Sequence, residues 1–183
     1  MKTIEQLLDE LIAREGGYSD NSRDAGGATM WGITEAVARA NGYGGPMREL
    51  PKATAKEIYR RLYWTRPGFD LVDNSAPRIA AELFDTGVNM GPAVATTFLQ
   101  RALTALNRRG LDYPDLIPDG RIGPATLAAL HAYLRQRPTD GVEVLIRALD
   151  ALQGERYIRL AEMRPGNEEF LYGWLASRLE NAA

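Results

Sequence analysis

Apolar positions at the start of the chain, Ile4, Leu7, Leu8, Leu11 and Ile12, recur at helical spacing among Glu5, Asp9 and Glu10. That period gives a helix one apolar face. Thr3 with Gln6 three positions later has the form of a capping box that opens it, and Gly16-Gly17 supplies the stop. A polar, glycine-rich stretch follows, in which residues 18 to 33 have room for a short hairpin. Thr34 then caps a short helix from Glu35 to Asn41, ended by Gly42. Thr54-Ala-Lys-Glu57 reads as a second capping box, opening a helix through Trp64 with Ile58 and Leu62 on one face. A Glu57–Arg61 pair is expected along it, and Pro67-Gly68 ends it.

Downstream the same period repeats. Asn74-Ser-Ala-Pro77 starts a helix carrying Ile79, Leu83 and Phe84. Gly91-Pro92 and Gly123-Pro124 each begin another, because proline suits a first helical turn. The first of these carries Val94, Phe98, Leu99, Ala102 and Leu106; the second carries Leu127, Leu130 and Leu134. Residues 110 to 123 form a loop turning at Asp119-Gly120. After Pro138 and Gly141 comes a longer helix whose buried side is expected to hold Leu145, Leu149, Leu152 and Ile158. Arg164-Pro165-Gly166 closes it, and a last helix bears Phe170, Leu171, Trp174, Leu175 and Leu179, with Trp174 read as core. The pattern predicts a mostly α protein with at most a short β-hairpin after the first helix.

Composition fits a soluble globular chain. Of 183 residues, 45% are apolar and 25% charged, enough for a core and ordinary in balance. Lys and Arg number 22 against 24 Asp and Glu, spread along the length, so no basic block points to nucleic acid. No apolar run spans a bilayer, and no membrane insertion is expected. The opening Met1-Lys2 leads straight into an amphipathic helix rather than a signal peptide, so synthesis in the cytoplasm is expected. There is no cysteine and one histidine, His131, read as a surface residue. A thiolate site, a zinc peptidase and a Ser-His-Asp triad therefore lack their parts, and no metal or cofactor is expected.

The chemistry gathers in the first helix and the loop after it. Glu15 falls in the last turn, where the helix's partial charge is negative and the protonated form of a carboxyl is favoured. A general acid needs that form; a solvated glutamate offset by Arg14 is the plainer alternative. Asp24 could be the second carboxylate of a glycosidase or an Asx-turn residue holding the loop. Thr29 could position a water through its hydroxyl or brace the loop backbone. Sugar sites add aromatic platforms and neutral hydrogen-bonding groups, for which Tyr18, Trp31, Tyr63 and Asn89 are candidates. Tyr63 and Trp64 are expected to divide between cleft and core.

Spacing sharpens this reading. Eight residues separate Glu15 from Asp24 and four separate Asp24 from Thr29. Phage-type lysozymes share the Glu-Asp-Thr order and the first gap, with the second gap one residue longer. The full run from Glu15-Gly-Gly-Tyr18 to Ala28-Thr-Met-Trp-Gly-Ile-Thr34 resembles glycoside hydrolase family 108, the N-acetylmuramidases of phage endolysins and some secretion systems. Asp119-Gly-Arg-Ile-Gly-Pro-Ala-Thr-Leu-Ala-Ala-Leu130 is similar to the signature of predicted peptidoglycan-binding modules. Phe84-Asp-Thr-Gly-Val-Asn-Met-Gly91 and Phe170-Leu-Tyr-Gly-Trp-Leu-Ala-Ser-Arg178 also resemble stretches of family 108 proteins.

The resemblance implies a lysozyme-like helical fold. It implies a muramidase catalytic part over 1–85 and a helical peptidoglycan-binding-like part over 86–183 packed against it, or one single domain. It implies Glu15 as the acid that cleaves the β-1,4 bond between N-acetylmuramic acid and N-acetylglucosamine. Asp24 and Thr29 carry over from the phage-lysozyme pattern. Two other readings stand beside this one: a lytic transglycosylase on the same bond, and a non-catalytic wall-binding or secretion-accessory protein. The implied partner is a peptidoglycan glycan strand, reached by a monomer released to the periplasm and wall through a holin or secretion machinery.

Overall fold

The Thr3 capping box forms: Gln6 N–H donates to the Thr3 hydroxyl at 3.4 Å, and Thr3 N–H donates to the Gln6 side chain at 2.8 Å. It opens α1, Ile4–Glu15, which buries Leu8, Leu11 and Ile12. A computed structural model of the chain describes residues 2–19 and 27–178. These fall into two compact units, Met1–Arg66 and Pro67–Ala183.

In the first unit a hairpin pairs β1, Thr29–Met30, with β2, Ile33–Thr34, antiparallel, and Ser19 bridges to Thr29 on the other side. Thr34 caps α2, Glu35–Ala40, by accepting from Val37 N–H at 3.3 Å. The next helix, α3, covers Lys52–Arg60 and begins after Pro51, two residues before the expected cap. Pro51 has extended geometry and its carbonyl takes Ala55 N–H, so Thr54 lies inside the helix and caps nothing. Arg61–Thr65 widens into a π turn, closed by Arg66 N–H donating to Arg61 O at 3.0 Å. Arg61 therefore turns to Asn41, and Glu57 pairs with Arg60 at 3.3 Å instead of the expected Arg61. Helix α3 packs on α1. Arg60 meets Glu5, and Lys56 meets Asp9 at 2.6 Å, a hydrogen bond that is the chief cause holding the Asp9 carboxyl below its usual range.

Among the described residues of the second unit the α-helices are α4, Phe69–Asp73; α5, Pro77–Met90; α6, Pro92–Leu106; α7, Pro124–Gln136; α8, Gly141–Met163; and α9, Glu168–Arg178, and no strand forms. Prolines stand at the first turns of α5, α6 and α7, as their fixed φ favours. Phe69, Ile79, Leu83, Leu99, Leu103, Leu130, Tyr133 and Leu145 are fully buried and form its core. Gly87 lets Phe69 approach: a Cβ there would sit 3.1 Å from the ring.

Side chains of α6 pin the long loop before α7. Gln100 donates to Asp119 Oδ1 at 2.8 Å, Arg121 O at 3.1 Å and Thr126 Oγ1 at 3.1 Å, and accepts from Gly120 N–H at 3.0 Å. Thr104 accepts from Leu116 N–H, and Tyr113 donates to Leu103 O. Two expectations about this unit change. Ile158 is 45% exposed, because α9 lies on the side of α8 that carries Tyr157, and Ile158 is about 100° further round the helix. Trp174 is half-buried rather than core, its ring set against Tyr157 and Phe170. Among the described residues, no helix is long and apolar enough to cross a membrane.

Candidate active site

Glu15 is the last residue of α1, followed by Gly16 at φ 77°, and its side chain is exposed. Exposure alone would leave a three-bond side chain free to sweep through solvent. The hairpin prevents this on one side. Its two-residue turn is Trp31-Gly32, with φ of 55° and 73°, the paired positive values of a type I′ turn. Tryptophan is unusual there, and such a backbone is strained by on the order of 1 kcal/mol. Two hydrogen bonds hold it: Trp31 Nε1 donates to Leu50 O at 3.0 Å, and its carbonyl accepts from the Tyr59 hydroxyl at 3.2 Å.

Gly32 is fixed by space as well as by φ. A Cβ there would lie 2.4 Å from the Tyr59 oxygen, 2.7 Å from Glu15 Oε2 and 2.9 Å from Glu15 Cγ. The Glu15 carboxyl and the Tyr59 phenol thus occupy the same face of the glycine. Tyr59 is buried, and its ionisation is pushed well above the usual range by that burial, then by the charge of Glu15 and by Tyr63. It remains a neutral hydroxyl.

Tyr18 is half-buried, with the Arg48 guanidinium 4.2 Å from its ring centroid. Thr29 exchanges backbone hydrogen bonds with Ser19 at 2.9 and 2.8 Å, and its hydroxyl points to Gly27 O at 3.4 Å, a long contact that leaves most of its capacity open. Tyr63 rides the π turn, half-buried, 5.8 Å from the Tyr59 ring, while Trp64 is core at 5% exposure. Asp24 lies outside the described residues. Asn89 belongs to the second unit, exposed near the end of α5, where its amide donates to Asp85 O at 2.7 Å and Asp85 Oδ2 at 3.3 Å. Glu15, Trp31, Gly32 and Tyr59 therefore meet. Tyr59 and Gly32 were not singled out from the sequence; the i,i+4 spacing of Tyr59 and Tyr63 is the signal that could have found the first of them.

Comparison with known proteins matches residues 8–91 to the family described as "Glycosyl hydrolase 108" and residues 94–179 to "Predicted Peptidoglycan domain". The chain is a family 108 glycosyl hydrolase with a peptidoglycan domain. A solved structure, that of Brucella abortus SagA, is similar over 98% of this chain and 90% of its own, at 28% identity and a TM-score of 0.65. No curated protein matches the sequence. The family 108 match covers the hairpin and Glu15, and it runs on through α5. The peptidoglycan match begins inside α6 and takes in α7, α8 and α9. With these two parts, the protein is a peptidoglycan hydrolase.

Proposed function

We propose that this family 108 hydrolase is an N-acetylmuramidase that cleaves the β-1,4 bond between N-acetylmuramic acid and N-acetylglucosamine, with Glu15 as general acid. The observation that supports it most is the state of the Glu15 carboxyl: open to a polymer on one side and seated on the Trp31-Gly32 turn on the other. In this reading Glu15 gives its proton to the glycosidic oxygen as the C1–O bond breaks, and the leaving sugar departs as an alcohol. Asp24 stabilises the oxocarbenium-like centre or takes a proton from water. The Thr29 hydroxyl holds that water, whose oxygen ends on C1. Tyr18, Trp31 and Tyr63 offer ring faces to the sugars. The substrate lies in the wall, so passage through a holin or secretion machinery, and action as a monomer, belong to the same proposal.

Product analysis tests it. Digestion of purified peptidoglycan followed by mass spectrometry is expected to yield fragments with reducing N-acetylmuramic acid ends. Anhydro-muramic ends would replace hydrolysis by a transglycosylase reaction, in which the sugar's own hydroxyl takes the place of water. Fragments ending in N-acetylglucosamine would place the cut at the other bond.

A further inference from the structure

A general acid works only when its proton is aimed, and a misplacement of about 1 Å costs roughly a hundredfold in rate. Glu15 ends a helix and is exposed, so its own helix does not aim it. The hairpin and α3 supply what α1 lacks. We propose that Tyr59 is a positioning residue for the Glu15 acid: with the bare face of Gly32 it forms a seat that fixes the carboxyl in one orientation. This rests on Glu15 being the acid.

Four observations carry it. Both the carboxyl oxygen and Cγ of Glu15 lie within 3 Å of the point where a Gly32 side chain would begin, so stem and head are laid over the glycine. The Tyr59 oxygen crowds the same point at 2.4 Å. Its proton is directed to the Trp31 carbonyl, so the phenol is tied to the turn on which the carboxyl lies. The Trp31 indole is in turn tied to Leu50 O, so the turn beneath the carboxyl is held from both ends. The ionisable groups that bear on the phenol are Glu15 from α1 and Tyr63 from the π turn, and burial keeps Tyr59 itself neutral. The φ of Trp31 fits this role, since a strained turn persists where its neighbours over-determine it.

A purely structural Tyr59 would fill the core and satisfy Trp31 O without touching turnover. Tyr59→Phe and Gly32→Ala, assayed on purified peptidoglycan beside Glu15→Gln, separate the two roles. Tyr59→Phe is expected to lower kcat about tenfold with KM near the parental value. Gly32→Ala, which drives a methyl into the seat, is expected to lower kcat by about a hundredfold. Parental kcat in Tyr59→Phe, with Glu15→Gln inactive, would overturn the positioning role alone. Should Tyr59→Phe melt early, Gly32→Ala assayed below its own melting temperature decides, and parental turnover there overturns the seat. Parental activity in Glu15→Gln would instead remove the proposed function and the seat with it.

Discussion

Two glycine-bearing motifs mark this chain, and they use their polar groups in opposite ways. From Asp119 to Thr126 the polar groups are tied to one side chain. Gln100 gathers Asp119, Gly120, Arg121 and Thr126, and its amide hydrogen bond, followed by that of Arg121 N–H, holds the Asp119 carboxyl below the usual range. Gly120 has φ 75°, and a Cβ there would stand 3.0 Å from Ala93 O, so glycine is dictated by the fit of loop to helix. This is a latch closing α6 onto the start of α7. Around Glu15 the glycine is again dictated by fit, but what it admits is an exposed carboxyl. The same residue type makes a latch in one unit and a seat in the other. The difference lies in whether the polar atoms it brings together are already satisfied. Unused hydrogen-bonding capacity marks chemistry, and satisfied capacity marks architecture.

The contrast breaks most visibly at Gln100. Gln100→Ala empties a buried position and strips the loop of its shared partner; it is expected to destabilise the second unit by about 2–4 kcal/mol, read by denaturant melts, while the folded enzyme turns over normally. Unchanged stability with weakened peptidoglycan binding would make the Asp119 motif a ligand surface. A comparable effect, on the order of a few kcal/mol, is expected from the buried carboxyl of Glu82 on α5. Burial, then Asp150 and Asp85, push it up to about 8 from an ordinary 4.5, and burial raises Asp150 as well. A carboxyl whose folded value is raised favours the folded state most below its unfolded value, and that contribution is lost as pH rises through about 8. Tm should therefore fall between about pH 5 and pH 9, and Glu82→Gln should flatten the profile. A parent whose Tm does not change over that range would contradict it.

On the seat side, Asp24→Asn is expected to cost about a hundredfold in kcat and Thr29→Ala about tenfold, with little change in Tm. Near-parental rates in both would make them loop residues, like the latch. Least of all, Lys56→Ala removes the ion pairs with Asp9 and Glu5 on the outer face of α1 and α3. It should lower Tm slightly, by an amount that vanishes in high salt.

Much of this architecture could be read from the chain because its signals are local. The Thr3/Gln6 box, the Gly16 stop and the Gly-Pro starts of α6 and α7 each depend on neighbours in sequence. The Thr54/Glu57 pattern misled for the same reason: Pro51 sets the entry to α3 through its own backbone, and a capping pair two residues inside a helix has nothing to cap. The π turn at Arg61–Thr65, and with it the change of partner from Arg61 to Arg60, has no local signature. Ile158 follows the period of its helix, but the side covered by α9 decides its burial. At the site, Glu15 was visible by its place at a helix end. Tyr59 was not, because its role appears only when a turn 28 residues earlier comes back beneath it. Asn89, a candidate by residue type, lies in the other unit, where its amide donates to Asp85 within α5.

The central claim is that the Glu15 carboxyl delivers the proton. The most direct test is the rate at which Glu15→Gln, matched to the parent in Tm, releases reducing ends from purified peptidoglycan. The account predicts a loss of at least about a hundredfold, and a parental rate would contradict it.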